Sequence, residues 1–417
     1  MVDLVTTLEF TMNKSTHFSG QPTFTQLVKL LPREIINRCA KKHQSNRYYK
    51  RFDTFHHLVT MLFNCFGHCN SLRECVTGMA ALEGRLASCG VRHFPTRSTF
   101  ADANAKRKSE VFAEIYLELK SHWDRFFPDS RKRSKNSTFV IDSTTITLFQ
   151  EIFKGAGMRA YNGKKKGGLK VHMAVQEQQS VPCIIYLSPG ASNDKVFNEY
   201  LNFPSGSTVI MDRGYRSHSQ YNTWTANQIR WVTRLHPSTV YDVSDRNKLS
   251  KKQLELGVKK DLRVTLGAQL SKAEKVDCRL IKFTSPHNGK TFEFITNDFK
   301  STPSYICDLY RKRWGIELLF KRLKQNMPLQ YFLGDNENAI KIQVWCTLIA
   351  DLLLQIVKRQ VKRPWAFSNI VSIVRLHLFN YLDLFSFLEQ PEKCIIRTTA
   401  EDFQLQLSLS GSPPFHK

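Results

Sequence analysis

Three carboxylates in this chain have a spacing that could support chemistry on phosphate esters. Asp142 ends the apolar run Thr-Phe-Val-Ile-Asp, and Asp212 ends Ser-Thr-Val-Ile-Met-Asp. Glu317 lies further along, among lysines and arginines. Three carboxylates that converge without a cation would repel one another and raise each other's pKa. If these side chains meet in the fold, the sequence therefore predicts a cation bound between them.

Magnesium is the cation that best fits this ligand type. Mg²⁺ prefers oxygen ligands in near-octahedral geometry. Two such ions held ~3.5 to 4 Å apart can activate an attacking oxygen and stabilise a leaving oxygen in phosphoryl transfer. We therefore predict that Asp142, Asp212 and Glu317 are catalytic residues that hold two Mg²⁺ ions. Composition does not decide between Mg²⁺ and Mn²⁺, which could substitute.

The elements that must position these carboxylates are two strands and a helix. Both apolar runs are short and rich in Val and Ile, as in buried strands, and each aspartate stands at a strand end. The stretch around Glu317 reads as a helix, Tyr310 to Lys324. At about 100° per residue, four polar side chains fall within about 60° of each other and a fifth about 20° beyond: Tyr310, Glu317, Lys321, Lys324 and Arg313. A separate apolar stripe lies on the flank: Leu309, Ile316, Leu319, Phe320 and Leu323.

The charge balance indicates a polyanionic partner. Lys+Arg 61 against Asp+Glu 36 gives a formal net charge of +25, and the aromatic content of 12% argues against a disordered basic tail. Nucleic acid is the commonest partner of so basic a globular chain, although a basic surface that binds nothing is the alternative. The cations near the carboxylates, together with one tyrosine, are predicted to contact DNA: Tyr310, Arg313, Lys321, Lys324, Arg213, Lys164, Lys165 and Lys170.

The chain divides into three regions by its pattern. Residues 1–130 show amphipathic helical patterns, followed by a basic linker at 131–135 and then by strand patterns. The helix predicted over Thr99–Trp123 carries Asn104, Lys106 and Arg107, which suit either a DNA-reading helix or the solvated face of a bundle. Residues 131–335 predict an α/β domain with a mixed sheet flanked by helices. Strand-like runs at about 237–298 predict an inserted β subdomain.

The C-terminal region, 336–417, is predicted to be helical. Its most apolar segment, Val344–Val357, is interrupted by Asp351 and Gln355 and is too short to span a bilayer, so we interpret it as a buried helix. The N-terminal stretch lacks the order of a signal peptide. We expect a cytoplasmic protein with no membrane partner.

The residues around Glu317 resemble a known sequence pattern. Tyr310-x2-Arg313-x3-Glu317-x6-Lys324 resembles the Tyr-Arg-Glu-Lys signature of the insertion-sequence-4 family of bacterial DDE transposases, at all four positions and all three spacings. Asp142 in Val-Ile-Asp-Ser-Thr and Asp212 in Met-Asp-Arg-Gly-Tyr are similar to the first and second aspartates of that family. The β insertion before the glutamate is another shared feature. The helical front resembles the N-terminal domain of one branch of the family.

The resemblance implies a fold, an activity and partners. The fold would be ribonuclease-H-like, with Asp142, Asp212 and Glu317 as metal ligands and with Tyr310, Arg313 and Lys324 holding the DNA end. The activity would be cut-and-paste transposition through strand cleavage, hairpin formation and strand transfer. The partners would be double-stranded DNA, at the terminal inverted repeats and the target, and a second copy of the chain in a nucleoid-associated synaptic complex. The N-terminal domain would bind the DNA end, and the C-terminal helices offer a surface for dimerisation.

Two other classes of protein remain compatible with the residues. A metal-dependent nuclease would cut DNA without joining it, and sequence alone hardly separates it from a transposase. A non-catalytic DNA-binding regulator would keep the fold as a binding module. Loss of any of the three carboxylates would favour the regulator, and none is lost.

Overall fold

The computed structural model of this chain describes residues 20–124, 137–147, 157–158, 166–268, 274–329 and 331–393. Its N-terminal part contains six helices: α1 (Thr23–Val28), α2 (Arg33–Lys42), α3 (Thr54–Gly67), α4 (Leu72–Ala80), α5 (Arg97–Lys106) and α6 (Glu110–Trp123). Asp53, Ser71 and Thr96 cap α3, α4 and α5, since each side chain accepts a hydrogen bond from the backbone N–H three residues further on. The helical nature predicted for this region is confirmed.

The single helix predicted over Thr99–Trp123 is wrong, because the chain breaks between α5 and α6. Asn104 and Arg107 are both buried, at 1% and 2% exposure. The Asn104 side-chain oxygen lies 2.8 Å from His57 Nε2, and the Arg107 guanidinium donates to the carbonyl of Phe52 at 2.8 Å. Only Lys106 of the three predicted residues is exposed. These three residues therefore form neither a DNA-reading surface nor a solvated helix face.

A ten-stranded sheet follows the helical front. Its strands are β1 (Thr138–Thr147), β2 (Gly157–Met158), β3 (Lys166–Gln176), β4 (Pro182–Pro189), β5 (Thr208–Met211), β6 (Arg230–Arg234), β7 (Tyr241–Arg246), β8 (Val258–Leu266), β9 (Val276–Thr284) and β10 (Thr291–Thr296). The strand order is β2-β3-β1-β5-β6-β10-β9-β8-β7, with β4 also paired to β3. Strand β3 pairs in antiparallel register with both β1 and β4, whereas β1, β5 and β6 run parallel. The predicted mixed sheet is confirmed.

The segment predicted as an inserted β subdomain extends this same sheet. Strand β10 pairs with β6 in antiparallel register, with Ile295 opposite Thr233, and β9, β8 and β7 continue outward from β10. Two helices that the sequence pattern did not predict also occur, α7 (His218–Ala226) before β6 and α8 (Lys251–Glu255) between β7 and β8. Backbone hydrogen bonds between β6 and β10 thus join the predicted β insertion to the sheet that carries Asp142 and Asp212.

Apolar side chains leave the central strands on both faces. Val140 and Ile210 point into a core shared with the helices, while Ile141, Val209 and Met211 point into a second core. The second core includes the stacked rings of Tyr221 and Trp231, 4.3 Å apart between centroids. Because successive residues of a strand point to opposite faces, a nearly continuous apolar run is what a sheet covered on both sides requires.

The remaining helices are α9 (Pro303–Arg311), α10 (Trp314–Asn326), α11 (Glu337–Gln360), α12 (Phe367–Leu376) and α13 (Leu384–Glu389). Helix α10 packs against β1, and α11 packs against α3, α5, α6 and α12. Helix α11 is long and apolar enough to cross a membrane, but 94% of its most apolar window is buried inside the protein. The buried helix predicted at Val344–Val357 is confirmed, and the N-terminal helices cover it.

Candidate active site

The two aspartates emerge side by side at the ends of parallel strand pairing. Ile141 of β1 lies opposite Met211 of β5 in the parallel register. Asp142 and Asp212 are the next residues along the chain, where the pairing of β1 with β5 ends. Strand β1 itself continues to Thr147, and Asp142 lies opposite Met173 of β3. Strand β5 ends there, and the Asp212 carboxylate caps the following turn by accepting a hydrogen bond from Gly214 N–H at 3.3 Å. The predicted strand end is confirmed for Asp212 but is wrong for Asp142, because pairing with β3 extends β1 five residues beyond it to Thr147.

Glu317 reaches the aspartates from a helix that is broken just before it. The predicted continuous helix is divided into α9 and α10 by a turn at Lys312 and Arg313. In this turn, Arg313 N–H bonds to Tyr310 O and Ile316 N–H to Arg313 O, both three residues back. Such i→i+3 bonds tighten the backbone relative to an α-helix. The apolar flank of the helix is buried as predicted: Leu309, Ile316, Leu319, Phe320 and Leu323.

The Arg313 guanidinium joins two of the three carboxylates. Its Nη1 donates to Asp142 Oδ2 at 2.8 Å, and its Nη2 donates to Glu317 Oε1. The side chains of Arg313 and Asp142 are each only 17% exposed. The sequence predicted that Arg313 faces DNA phosphate, whereas in this structure it is turned towards the carboxylates. A planar fork of N–H donors matches carboxylate oxygens well, which explains the choice of arginine at this position.

Burial makes the Asp142 carboxylate a site that favours a cation. Burial raises the pKa of Asp142 from 3.8 to about 6, with smaller increases from the negative charges of Asp212 and Glu317. The Ser143 N–H, 2.8 Å from Asp142 Oδ1, and the Arg313 guanidinium oppose this increase. The Asp212 and Glu317 carboxylates are therefore close enough to Asp142 to affect its ionisation. A positive charge beside them lowers the cost of ionising Asp142.

The carboxylates are not arranged as a finished metal cage. Among the described residues, no group of three or more His, Cys, Asp or Glu side chains is close enough to hold a metal ion. The predicted convergence is thus realised only in part, because the Arg313 guanidinium lies between Asp142 and Glu317. The donor set nevertheless consists of carboxylate oxygens, which suit Mg²⁺ or Mn²⁺.

Tyr310 lies behind Arg313. Its ring packs on Phe294 of β10, 4.9 Å between centroids, and the Arg313 guanidinium lies 5.8 Å from the ring centroid. Burial raises the pKa of Tyr310 to about 12. The side chain is 9% exposed. The structure thus places the predicted DNA-contacting tyrosine beneath the arginine, where it supports the position of the guanidinium.

The predicted DNA-binding lysines and Arg213 have different surroundings. Lys324 Nζ donates to Thr145 O at 3.0 Å, on β1, the strand that also carries Asp142. Burial lowers the pKa of Lys324. Lys321 and Arg213 are exposed. Lys164 and Lys165 lie outside the described residues.

Lys170 is engaged within the protein by a carboxylate that sequence reasoning missed. Its Nζ donates to Ser192 O at 2.7 Å and to Asp194 Oδ1 at 3.3 Å. The expectation of a lysine free for DNA phosphate is therefore wrong in this conformation, because Asp194 neutralises it. Only a Ser-Asn-Asp turn signal after β4 marked Asp194 in the sequence.

Asp194 links the segments that carry both catalytic aspartates. Ser143, next to Asp142, donates its hydroxyl to Asp194 Oδ1 at 2.8 Å. A Cβ added at Gly214, two residues after Asp212, would lie 2.9 Å from Asp194 Oδ2. The glycine in Asp-Arg-Gly-Tyr thus permits a close approach of this carboxylate. Asp194 is therefore a fourth acid at the site, and its contacts are with the neighbours of the catalytic aspartates.

A buried histidine completes this network. His172 of β3 places Nδ1 3.1 Å from the Tyr215 hydroxyl and Nε2 2.9 Å from Ser188 Oγ. Burial lowers the pKa of His172 to about 4, so the ring is neutral at physiological pH. The network fixes the turn that follows Asp212 against β3 and β4.

Two family models match the chain. The model described as "Transposase DDE domain" matches residues 133–353, more than half of the chain. A second model, described as a domain of unknown function (DUF4372), matches residues 19–92 in the helical front.

Individual relatives agree with the first of these matches. A Sinorhizobium fredii protein named as transposase y4zB is 29% identical over 301 residues, covering 71% of this chain and 81% of the relative. A Geobacillus stearothermophilus protein named as a transposase for insertion sequence element IS5377 is 26% identical over 247 residues, covering 59% and 63%. The transposase for insertion sequence element IS231E of Bacillus thuringiensis subsp. finitimus is 20% identical over 404 residues, covering 79% and 82%. Among solved structures, a piggyBac transposase synaptic complex with hairpin DNA gives a TM-score of 0.41 at 10% identity, covering 95% of this chain and 84% of that chain.

Proposed function

This chain belongs to the transposase DDE domain family, and we propose that it moves a bacterial insertion sequence by cut-and-paste transposition. It is a DNA transposase and therefore an enzyme that binds DNA. The observation that carries the detailed proposal is the contact of Asp142 and Glu317 with one guanidinium, with Asp212 next to Asp142 on the neighbouring strand. In this proposal Asp142, Asp212 and Glu317 are the catalytic carboxylates.

Divalent metal ions fit this group of carboxylates. Asp142, Asp212 and Glu317 would hold two Mg²⁺ ions, or Mn²⁺, and the ions would activate the attacking oxygen and stabilise the leaving oxygen. Arg313 would have to leave Asp142 and Glu317 for the carboxylates to serve as ligands. Its guanidinium would then be free to bind a phosphate of the DNA end, with Tyr310 fixing its position from behind.

The proposed reaction has four steps on the DNA. Water attacks the phosphodiester at the element end and frees a 3′-OH. That hydroxyl attacks the opposite strand, which releases the flanking DNA and leaves a hairpin on the element. A second water opens the hairpin, and the 3′-OH then attacks target DNA. Lys321, Lys324 and Arg213 are the proposed phosphate contacts beside the scissile bond, in addition to Arg313.

The sheet order supports a ribonuclease-H-like assignment. Three antiparallel strands, β4, β3 and β1, continue into the parallel strands β5 and β6. With the spacing of Tyr310, Arg313, Glu317 and Lys324, this order supports membership of the insertion-sequence-4 group. We also propose a homodimer in the synaptic complex, acting in the bacterial cytoplasm.

A cleavage assay with a matched control tests the proposal. The substrate is a labelled duplex carrying the DNA that flanks this gene, incubated with Mg²⁺ and with the intact protein or Glu317→Gln. Glu255→Gln, an exposed substitution in α8, is the control for loss of one negative charge. We expect hairpin and joined products from the intact protein and from Glu255→Gln. Glu317→Gln should bind the duplex but form neither product.

Other outcomes would assign other functions. Nicked DNA without hairpin or joined product would favour a nuclease. Binding without any reaction by the intact protein, with Mg²⁺ or Mn²⁺, would favour the regulator and overturn the proposed activity.

A further inference from the structure

A concentrated positive charge lies far from the carboxylates along the chain, in the helical front. Residues 41–51, which we name the basic loop, read Lys-Lys-His-Gln-Ser-Asn-Arg-Tyr-Tyr-Lys-Arg, with five lysines and arginines and no acid. The loop begins in the last turn of α2 and ends just before the Asp53 cap of α3. It lies inside the region matched by the domain of unknown function.

Some of these cations are neutralised inside the protein, and others are not. Lys42 Nζ and His43 Nε2 contact the two oxygens of Glu114 at 2.7 and 2.5 Å. The other four lysines and arginines are exposed, and none has an ion pair with an acid in the part of the chain that the structure describes: Lys41, Arg47, Lys50 and Arg51. Cations in a last turn can stabilise a helix C-terminus, which accounts for Lys41. It does not account for Arg47, Lys50 and Arg51, which lie beyond the helix.

The basic loop borders an open cleft. The cleft has a volume of about 550 Å³ and is lined by Asn37, Ala40, Lys41, Gln44, Asn46 and Arg47. Five of these six side chains are cations or amides, which can donate hydrogen bonds to phosphate oxygens. Tyr48 is 82% exposed beside it, with the Arg47 guanidinium 5.4 Å from its ring centroid. These donors and the exposed cations around them could contact an anionic polymer.

The loop is held in shape from below. Buried Arg107 donates to Phe52 O at 2.8 Å and Ser45 O at 3.4 Å, and its guanidinium lies 4.2 Å from the Tyr49 ring centroid. Asn46 Oδ1 accepts hydrogen bonds from Thr54 N–H and Oγ1–H at 2.8 and 2.7 Å. A loop fixed by buried contacts loses little conformational entropy when it binds a ligand. Its cations are therefore preorganised on the surface.

We propose that the basic loop and its cleft bind the phosphate backbone of duplex DNA, with Lys41, Arg47, Lys50 and Arg51 as the contacting cations. The inference rests on the proposed function, because a transposase must hold DNA beyond the bond that it cuts. It assigns to the helical front a surface in α2 and the following loop, instead of the α5 segment that the sequence suggested.

The salt dependence of DNA binding measures these contacts directly. Each phosphate neutralised by a protein cation contributes about 0.9 to the slope of log Kobs against log salt concentration. The experiment titrates the full-length protein carrying Glu317→Gln into a fluorescein-labelled duplex with flanking DNA and measures the affinity by anisotropy across a salt series. Replacing Lys41, Arg47, Lys50 and Arg51 with glutamine should reduce the slope by about 3 to 4.

A charge-matched control separates a local contact from general attraction. The control replaces four exposed lysines near α8 with glutamine: Lys248, Lys251, Lys252 and Lys259. A reversed set, K41R, R47K, K50R and R51K, keeps the charge and should keep the slope. Circular dichroism checks that every variant is folded. The proposal is overturned if the loop variant changes the slope no more than the control near α8 does.

Failure of this inference differs from failure of the proposed function. A wild-type protein that forms hairpin and joined products while the loop variant keeps its full salt slope refutes the loop and leaves the transposase. A reduced slope in the loop variant, with no product from the wild type, supports the loop and refutes the activity.

Discussion

Replacing Asp142 with asparagine should stabilise the fold while it removes activity. The Asp142 carboxyl is buried beside Asp212 and Glu317, and its pKa is raised from 3.8 to about 6, chiefly by burial. Asparagine has nearly the same shape and no charge to desolvate. Its side-chain oxygen can still accept a hydrogen bond from Arg313, and Arg313 also keeps Glu317. Active sites commonly contain such a conflict between stability and function.

The size and sign of the effect follow from proton linkage. A tenfold difference in proton affinity corresponds to about 1.4 kcal/mol, so the difference between 3.8 and about 6 amounts to about 3 kcal/mol. Because the folded protein binds the Asp142 proton more tightly than the unfolded chain does, the bound proton stabilises the fold. This contribution is fully present below pH 3.8 and is lost as pH rises through about 6. The variant has no proton to lose here. It should therefore exceed the wild type by up to about 3 kcal/mol near neutral pH and match it in acid.

Urea unfolding followed by tryptophan fluorescence, in chelator and across pH, measures this difference. The control is Asp335→Asn, an exposed aspartate whose removal changes the net charge equally. Adding Mg²⁺ should then reduce the difference in free energy of unfolding between the variant and the wild type, because a metal that binds only the folded wild type stabilises it by mass action. The reasoning would be refuted if the variant were less stable than the wild type in chelator near neutral pH. It would also be refuted if the difference in their free energies of unfolding did not change with pH.

Two further substitutions test the supports of the sheet and of the site. In the intact protein the buried Arg279 guanidinium donates to both carboxylate oxygens of Asp261, at 2.8 and 2.7 Å. Asp261→Ala should therefore lower the free energy of unfolding in urea by about 3 to 5 kcal/mol, because it leaves Arg279 buried without this carboxylate. A loss near 1 kcal/mol would contradict this. Asp194→Asn should slow cleavage about 10- to 100-fold, because it weakens the contacts that align Ser143 with the turn after Asp212. The affinity for the duplex should stay unchanged. An unchanged cleavage rate would show that Asp194 does not position the catalytic aspartates.

Several features of the site could be predicted from the sequence because they depend on local pattern. Short runs rich in Val and Ile predicted the strands before Asp142 and Asp212, and both strands are present, although β1 continues past Asp142 to Thr147. The apolar stripe from Leu309 to Leu323 is buried as its helical period requires. The helical period placed Arg313 beside the polar group that includes Glu317, and the structure brings the two side chains into contact.

Tertiary structure decided which partners these side chains have. Arg313 contacts Asp142 across 171 positions of sequence, and Lys170 contacts Asp194, which a turn signal alone could not identify. Arg107 looked like a surface cation in a helical pattern but is buried, because the carbonyls of Ser45 and Phe52 converge on it. Periodicity reports which face of an element is apolar, whereas the packing of distant elements determines what each polar side chain meets. The sequence by itself therefore indicated the acids and the apolar strands before them. Only the folded chain decided that β1 continues past Asp142 and that an arginine lies between two of the acids.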